Sequence, residues 1–257
     1  MATTNNKILI LYVFHEYTNS VKYFIENATF YDDNIDFIII VNNDRFKFDY
    51  NFKYNNVKVL IRENKGYDFG AWSDALLIND LYLNYDKFIF INSSVKGPIL
   101  SENFQGKWID NFINGLNNDI KLYGSSINNI NDPLNRAHVQ SYSFCIDIEA
   151  LKFLINEKIF TMDEYINDKE CVIEEKEILM SRKIIENNWN IGCFMEIYKN
   201  VDFRFINKKP KDYNNNLFHN NLLTKKDRNV YWNDEELMFV KNYIYAPNIY
   251  RYMLRSK

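Results

Sequence analysis

Glycine, proline, cysteine and histidine are all scarce in this chain, at 7, 4, 3 and 3 of 257 residues. So little glycine and proline excludes a collagen-like or linker-rich chain, and each glycine present is expected where the backbone needs it. The three cysteines, Cys145, Cys171 and Cys193, are odd in number and contain no CxxC pair. That excludes a disulfide framework and reads as reduced thiols in a core. Without an acid, cysteine or second histidine at ligand spacing beside His15, His138 or His219, no zinc site is expected. No apolar run approaches the roughly 20 residues of a membrane helix, so no transmembrane segment is expected. Met1 to Lys7 lacks the charged-then-apolar pattern of a leader, and the expected location is cytoplasmic. A net charge of −3 offers no basic excess, which argues against a nucleic-acid partner.

Apolar and aromatic residues are abundant, at 47% and 17%. At this length they suffice for one well-buried domain spanning 1–257, with 200–257 as a C-terminal closing segment. Short apolar runs at Lys7 to Phe14, Asp36 to Val41, Val57 to Arg62 and Lys87 to Ile91 predict strands. Helical patterns fall between them at Ser20 to Ala28 and Ala71 to Leu83. Further on, strands are predicted at Ile120 to Gly124, His138 to Ile146 and Trp189 to Met195. Helices are predicted at Trp108 to Leu116, Glu149 to Glu157, Glu170 to Asn187 and Asp234 to Ile244. Alternating strands and helices imply an α/β fold: a mostly parallel, Rossmann-related sheet with helices on both faces.

Two strings carry most of the chemistry. Asn64-Lys65-Gly66-Tyr67-Asp68-Phe69-Gly70-Ala71-Trp72 holds two of the seven glycines between a strand and a helix. Glycines so close together let backbone approach a ligand at the positive end of the helix, and Asp68 could accept hydrogen bonds from ribose or sugar hydroxyls. The plainer possibility is a tight turn with Asp68 as a helix cap. The second string, from Tyr85 to Pro98, is an apolar strand that breaks into Asn92-Ser93-Ser94 before Lys96 and a Gly-Pro turn. Open α/β sheets bind ligands at such carboxyl ends of strands, although these residues would also suit a simple turn. His15 follows the first strand and could line a base pocket with Val13, Phe14 and Tyr17, while Asn43 closes the second strand. His138 and Gln140 alternate on a strand and could face one side of the sheet toward an acceptor or phosphates.

Taken in order, NKGYDFGA, YDKFIFIN, INSSVKGP and HVQSYSF resemble segments of glycosyltransferases of the GT-A type, over most of residues 7 to 195. More narrowly, they are similar to bacterial and viral surface-polysaccharide enzymes, including those of rhamnan synthesis. The resemblance implies a GT-A-like fold, a UDP-, GDP- or dTDP-sugar donor and a glycan or glycoconjugate acceptor; transfer with inversion is expected because Glu174 or Glu175 offers a base. It implies donor contacts from Val13, His15, Asn43, Asn64, Gly66, Asp68, Gly70, Asn92, Ser93, Ser94 and Lys96. It also implies a general base at the start of a helix, where Glu174 and Glu175 stand, Glu174 being preferred. The Glu run would equally suit a solvated helix start favoured by the macrodipole.

The sequence departs from that pattern where an Asp-x-Asp would bind a divalent ion, because Asn92-Ser93-Ser94 stands there instead. Mg²⁺ and Mn²⁺ prefer anionic oxygen ligands, so Asn92 and Ser94 would hold either ion weakly. Metal dependence is expected to be weak or absent, with Lys96 or Arg136 as replacement cations. Two alternatives remain. One is a degenerate nucleotide-sugar-binding protein without turnover. The other is a nucleotidyltransferase, whose glycine-rich basic loop is missing from Phe14 to Thr18.

Overall fold

The continuous apolar runs of the first half become strands covered on both faces. The computed structural model describes residues 6–128, 137–206 and 234–241. In chain order its first half contains β1 (Ile8–Phe14), α1 (Asn19–Ala28), β2 (Ile35–Val41), β3 (Val57–Ile61), α2 (Tyr67–Leu77), β4 (Lys87–Asn92), β5 (Val95–Lys96) and α3 (Trp108–Gly115). Then come β6 (Ile120–Gly124), β7 (Ile127–Asn128), β8 (His138–Val139), β9 (Ser143–Asp147), α4 (Ile148–Asn156), α5 (Lys169–Val172), α6 (Leu179–Glu186) and β10 (Asn190–Cys193). The helical turn α7 (Phe203–Ile206) follows, and α8 (Asp234–Leu237) and β11 (Val240–Lys241) complete the described residues.

Seven strands form one sheet in the order β10-β6-β9-β4-β1-β2-β3. β3, β2, β1 and β4 are parallel, as are β6 and β10, whereas β9 is inserted antiparallel between β4 and β6. This is an α/β fold with a mostly parallel sheet and helices on both faces. Side chains alternate across β1 and so divide the core in two. Leu9, Leu11 and Val13 pack with Trp72, Phe90, Phe144 and Met180, on the side of α2, α4 and α6. Ile10, Tyr12 and Phe14 pack with Phe24, Trp108 and Phe112, on the side of α1 and α3. Burying both faces explains why β1 and β2 read as unbroken apolar runs.

Four elements differ from the sequence reading. His138 to Ile146 is not one strand: the chain turns at Ser141 and Tyr142, and β8 and β9 belong to different sheets. The expected helix to Leu83 breaks after α2, where Asn79 and Asp80 take positive φ (56° and 51°) inside a 3₁₀ stretch, Ile78–Asn84. The long helix from Glu170 is composite, with a π-helical turn, Ile173–Ile178, joining α5 to α6. The helix expected from Asp234 is one turn, after which β11 pairs antiparallel with β5; residues 242–244 of that expectation lie outside the described residues. Cys145 and Cys193 are buried thiols, but Cys171 is exposed, in contrast to the expected core placement of all three. No helix among the described residues is long and apolar enough to cross a membrane.

The segment carrying β11 is seated closely. Ile99 N donates to Met238 O at 2.7 Å. A Cβ on Gly97 would lie 2.4 Å from the Phe239 ring and 2.5 Å from Met238 O. Only a residue without a side chain admits that contact. It brings Lys241 to the end of β4, where β1, β4 and the loop before β9 meet.

Candidate functional site

The site begins with a turn built by its own polar groups. Asn92 is buried at the last position of β4, where its backbone N donates to Tyr142 O at 3.0 Å and Ser93 N donates to Val13 O at 2.9 Å. The Asn92 side chain is committed at both ends. Nδ2 donates to Asp68 Oδ2 at 2.8 Å, and Oδ1 accepts from Ser94 N at 3.0 Å and Ser94 Oγ at 2.5 Å. Asn92-Ser93-Ser94 is therefore a side-chain-braced turn, and it fixes a carboxylate on α2. Asp68 stands in the first turn of α2 but does not cap it, because the cap position is Gly66, with no side-chain bond there.

Three further elements reach the same place. Glu177, on the π-helical turn, accepts from Ser141 N at 2.8 Å and from Ser141 Oγ, and its Oε1 lies 3.6 Å from His138 Nε2. Lys241 crosses the Tyr142 ring at 5.1 Å, and its Nζ donates to Ser94 Oγ at 3.2 Å. Gln140 is buried beside them and accepts from Ser126 Oγ at 2.9 Å.

The electrostatics separate the two carboxylates. Burial is the main influence on Asp68 and raises its pKa to about 6; Glu177 adds to the rise, while Asn92 and Lys241 oppose it. Burial pushes Glu177 upward as well, but His138 and the two Ser141 donors outweigh it, and the group is held below the usual carboxylate range. Burial pulls the Lys241 ammonium down, against the attraction of Glu177 and Asp68. Near neutral pH the site thus pairs a carboxylate able to exchange a proton with one that stays ionised.

A second polar group borders the first. Asn42 Nδ2 donates to Asn64 Oδ1 at 2.8 Å and to Tyr67 O at 3.3 Å, and Asn42 O lies 2.8 Å from His15 Nδ1. Asn43 Nδ2 donates to His15 O at 3.4 Å. Arg62 organises this edge, donating to Asn42 Oδ1, to Asp74 Oδ2 at 2.6 Å and to Lys65 O at 2.9 Å. The ends of β1, β2 and β3 are thereby tied to the start of α2.

The expected site residues fall into distinct places. Asp68, Asn92, Ser93, Ser94, His138 and Gln140 gather around the end of β4, with Val13 beneath them in β1. His15, Asn43 and Asn64 join the neighbouring network. Gly66 and Gly70 serve the turn itself: Gly66 takes φ +72°, and a Cβ on Gly70 would lie 2.1 Å from Lys65 O. The face over both glycines carries Tyr165, with Cδ1 only 2.9 Å from a Cβ on Gly66. That approach is to the protein's own ring. Lys96 places its ammonium 4.9 Å over the Tyr23 ring of α1. Glu174 and Glu175 are exposed, and Glu177 is the acid of that run that enters the cluster. Arg136 and His219 lie outside the described residues.

Glu177, Lys241, Ser141 and Arg62 went unnoticed in the sequence. The acidic run signalled Glu177, but a regular helical period does not select it. Lys241 carries no local signal, since its position depends on a two-residue strand pairing across the chain. Neither protein-family models nor curated proteins give a match to this chain.

Proposed function

We propose that the protein is a GT-A-type glycosyltransferase, moving a sugar from a nucleoside-diphosphate donor to a hydroxyl of a glycan or glycoconjugate. The supporting observation is the convergence of Asp68, Glu177 and Lys241 beside the carboxyl ends of β1 and β4. Ligands of open α/β sheets bind at this edge. The acceptor oxygen attacks the anomeric carbon as the bond from that carbon to the diphosphate oxygen breaks. The hydroxyl proton passes to Asp68, and the electron pair of the broken bond leaves with the nucleoside diphosphate. Asp68 suits this role because its proton affinity lies near neutral pH, the condition that favours general-base catalysis. Glu177 remains ionised and holds His138 and the Ser141 turn in place. One base on the acceptor and one displacement give inversion.

The base is therefore assigned to Asp68 rather than to Glu174 or Glu175, which are exposed, whereas Glu177 is the acid of that run that enters the cluster. The Asn42, Asn43 and His15 edge offers polar partners to a base and ribose. The test is a screen of UDP-, GDP- and dTDP-sugars by thermal shift, followed by a transfer and hydrolysis assay with the donor that binds. A rise in Tm with one nucleotide class and release of nucleoside diphosphate supports the reading. Binding without product would favour a non-catalytic nucleotide-sugar receptor, and no binding at all would reject both.

A further inference from the structure

We infer that Lys241 supplies the positive charge that receives the donor diphosphate, in the position where GT-A enzymes place a divalent ion. This rests on the glycosyltransferase reading and adds the identity of the cation. The donor set at the end of β4 does not fit Mg²⁺ or Mn²⁺. Asn92 Oδ1, the oxygen best placed to ligate, already accepts two hydrogen bonds from Ser94, and Asp68 Oδ2 accepts from Asn92. A hard divalent ion would displace these bonds and would find neutral ligands on the turn itself, with Asp68 as the one carboxylate bonded to it. It would also meet an ammonium, because Lys241 Nζ lies 3.2 Å from Ser94 Oγ.

The placement of Lys241 is built rather than incidental. β11 pairs Lys241 with Val95 and Val240 with Lys96, which fixes the lysine backbone one strand away from the turn. Its ammonium lies 5.1 Å from the centre of the Tyr142 ring, and the Tyr142 carbonyl receives Asn92 N. Among the described residues, Ser94 Oγ is the one hydrogen-bond acceptor of the ammonium, which has three protons to give. Asp68 and Glu177 attract it without a direct bond. A diphosphate oxygen can therefore be received without breaking an ion pair. Lys96, the cation suggested by position in the sequence, lies instead over Tyr23.

The test is calorimetric titration of the full chain with UDP, GDP and dTDP, and with the corresponding nucleosides, in excess EDTA. The wild type should bind one of the diphosphates in chelator. Lys241→Met, which keeps a long unbranched side chain and removes the charge, should weaken that affinity by about 10- to 100-fold and leave the nucleoside affinity unchanged. Lys241→Arg should recover most of the loss. Tm and hydrogen exchange at residues 95–99 establish that β11 remains paired in each variant; if Lys241→Met releases it, the Arg variant alone decides, by retaining or losing diphosphate affinity. Equal diphosphate binding by the wild type and Lys241→Met would overturn the inference while leaving the glycosyltransferase reading intact. A strict manganese requirement in the wild type would do the same. If none of the three diphosphates binds with or without manganese, the glycosyltransferase reading fails and the inference falls with it.

Discussion

Asn92 Nδ2 donates to Asp68 Oδ2 at 2.8 Å, so the last residue of β4 holds the first-turn carboxylate of the helix that follows β3. The bond partly offsets the burial of Asp68 without cancelling it, and the net pKa remains about 6. The ionised form of Asp68 is thus held at a cost to stability near neutral pH.

Asp68→Asn separates stability from activity. With a folded pKa of about 6 and an ordinary value of 3.8, the native state holds a proton that the unfolded state has released between those values. Stability therefore falls as pH rises through this window. Asn should stabilise the fold by about 1–3 kcal/mol at pH 8 and by almost nothing at pH 4, as read by urea denaturation. Transfer should nevertheless be lost. Equal stability at both pH values would show that Asp68 is not the burdened group.

In the proposed transfer reaction the same titration would set the pH profile. The base acts only when deprotonated, so kcat/KM should climb as pH rises through about 6. Loss of the Lys241 proton should bring the rate down again on the alkaline side, below the ordinary lysine range because burial lowers that group. A flat profile between pH 5 and 8 would remove Asp68 from the chemistry.

Among the acids of the composite helix, Glu177→Gln should reduce transfer by about 100-fold, because it loosens the His138 and Ser141 contacts that position the site. Glu174→Gln and Glu175→Gln should each stay near wild type. Steady-state kinetics on the three variants gives the comparison, and an inactive Glu174→Gln would return the base to the position inferred from family resemblance.

Arg62 tests the frame rather than the chemistry. Its side chain and that of Asp74 are 8% and 14% exposed, so Arg62→Ala leaves a nearly buried carboxylate with its main partner removed. A loss of about 3–5 kcal/mol is expected in denaturant titration. A loss under 1 kcal/mol would mean that Tyr165, which donates to the same carboxylate at 2.5 Å, carries it alone.

Gly97→Ala acts on the site from a distance. The added methyl meets Phe239 and Met238 O and should displace β11 and with it Lys241. Transfer should fall while the denaturant midpoint of the sheet changes little, a separation that activity and fluorescence measurements can resolve.

The central sheet was legible because its signal is local and strong. Runs such as Ile-Leu-Ile-Leu-Tyr-Val-Phe in β1 have one reading when both faces are buried. The turn at Asn92 and the glycine string were legible for the same reason, since loss of periodicity marks a strand end. What escaped depends on distant contacts. The π turn that brings in Glu177 adds a residue to the helical repeat, and no propensity marks where that happens. The break between His138 and Ser143 is fixed by Ser141 bonding to Glu177, a partner 36 residues away. The scarce glycines were correctly expected at a demanding backbone, but the neighbours that demand them are Lys65 and Tyr165 of the protein itself.

The antiparallel insertion of β9 between β4 and β6 also divides the sheet by sequence. β1, β2, β3 and β4 derive from residues 8–92 and pair with one another, and β4 alone of the four meets β9. Asp68 and Asn92 belong to this first stretch, His138 and Glu177 to the second. Lys241 joins through two residues of strand pairing. A site drawn from several segments opens whenever any one of them opens locally. Amide exchange should accordingly be fastest for β11, slower for β8 and slowest for β1, so that the Asp68 cluster breathes while the scaffold beneath it stays closed.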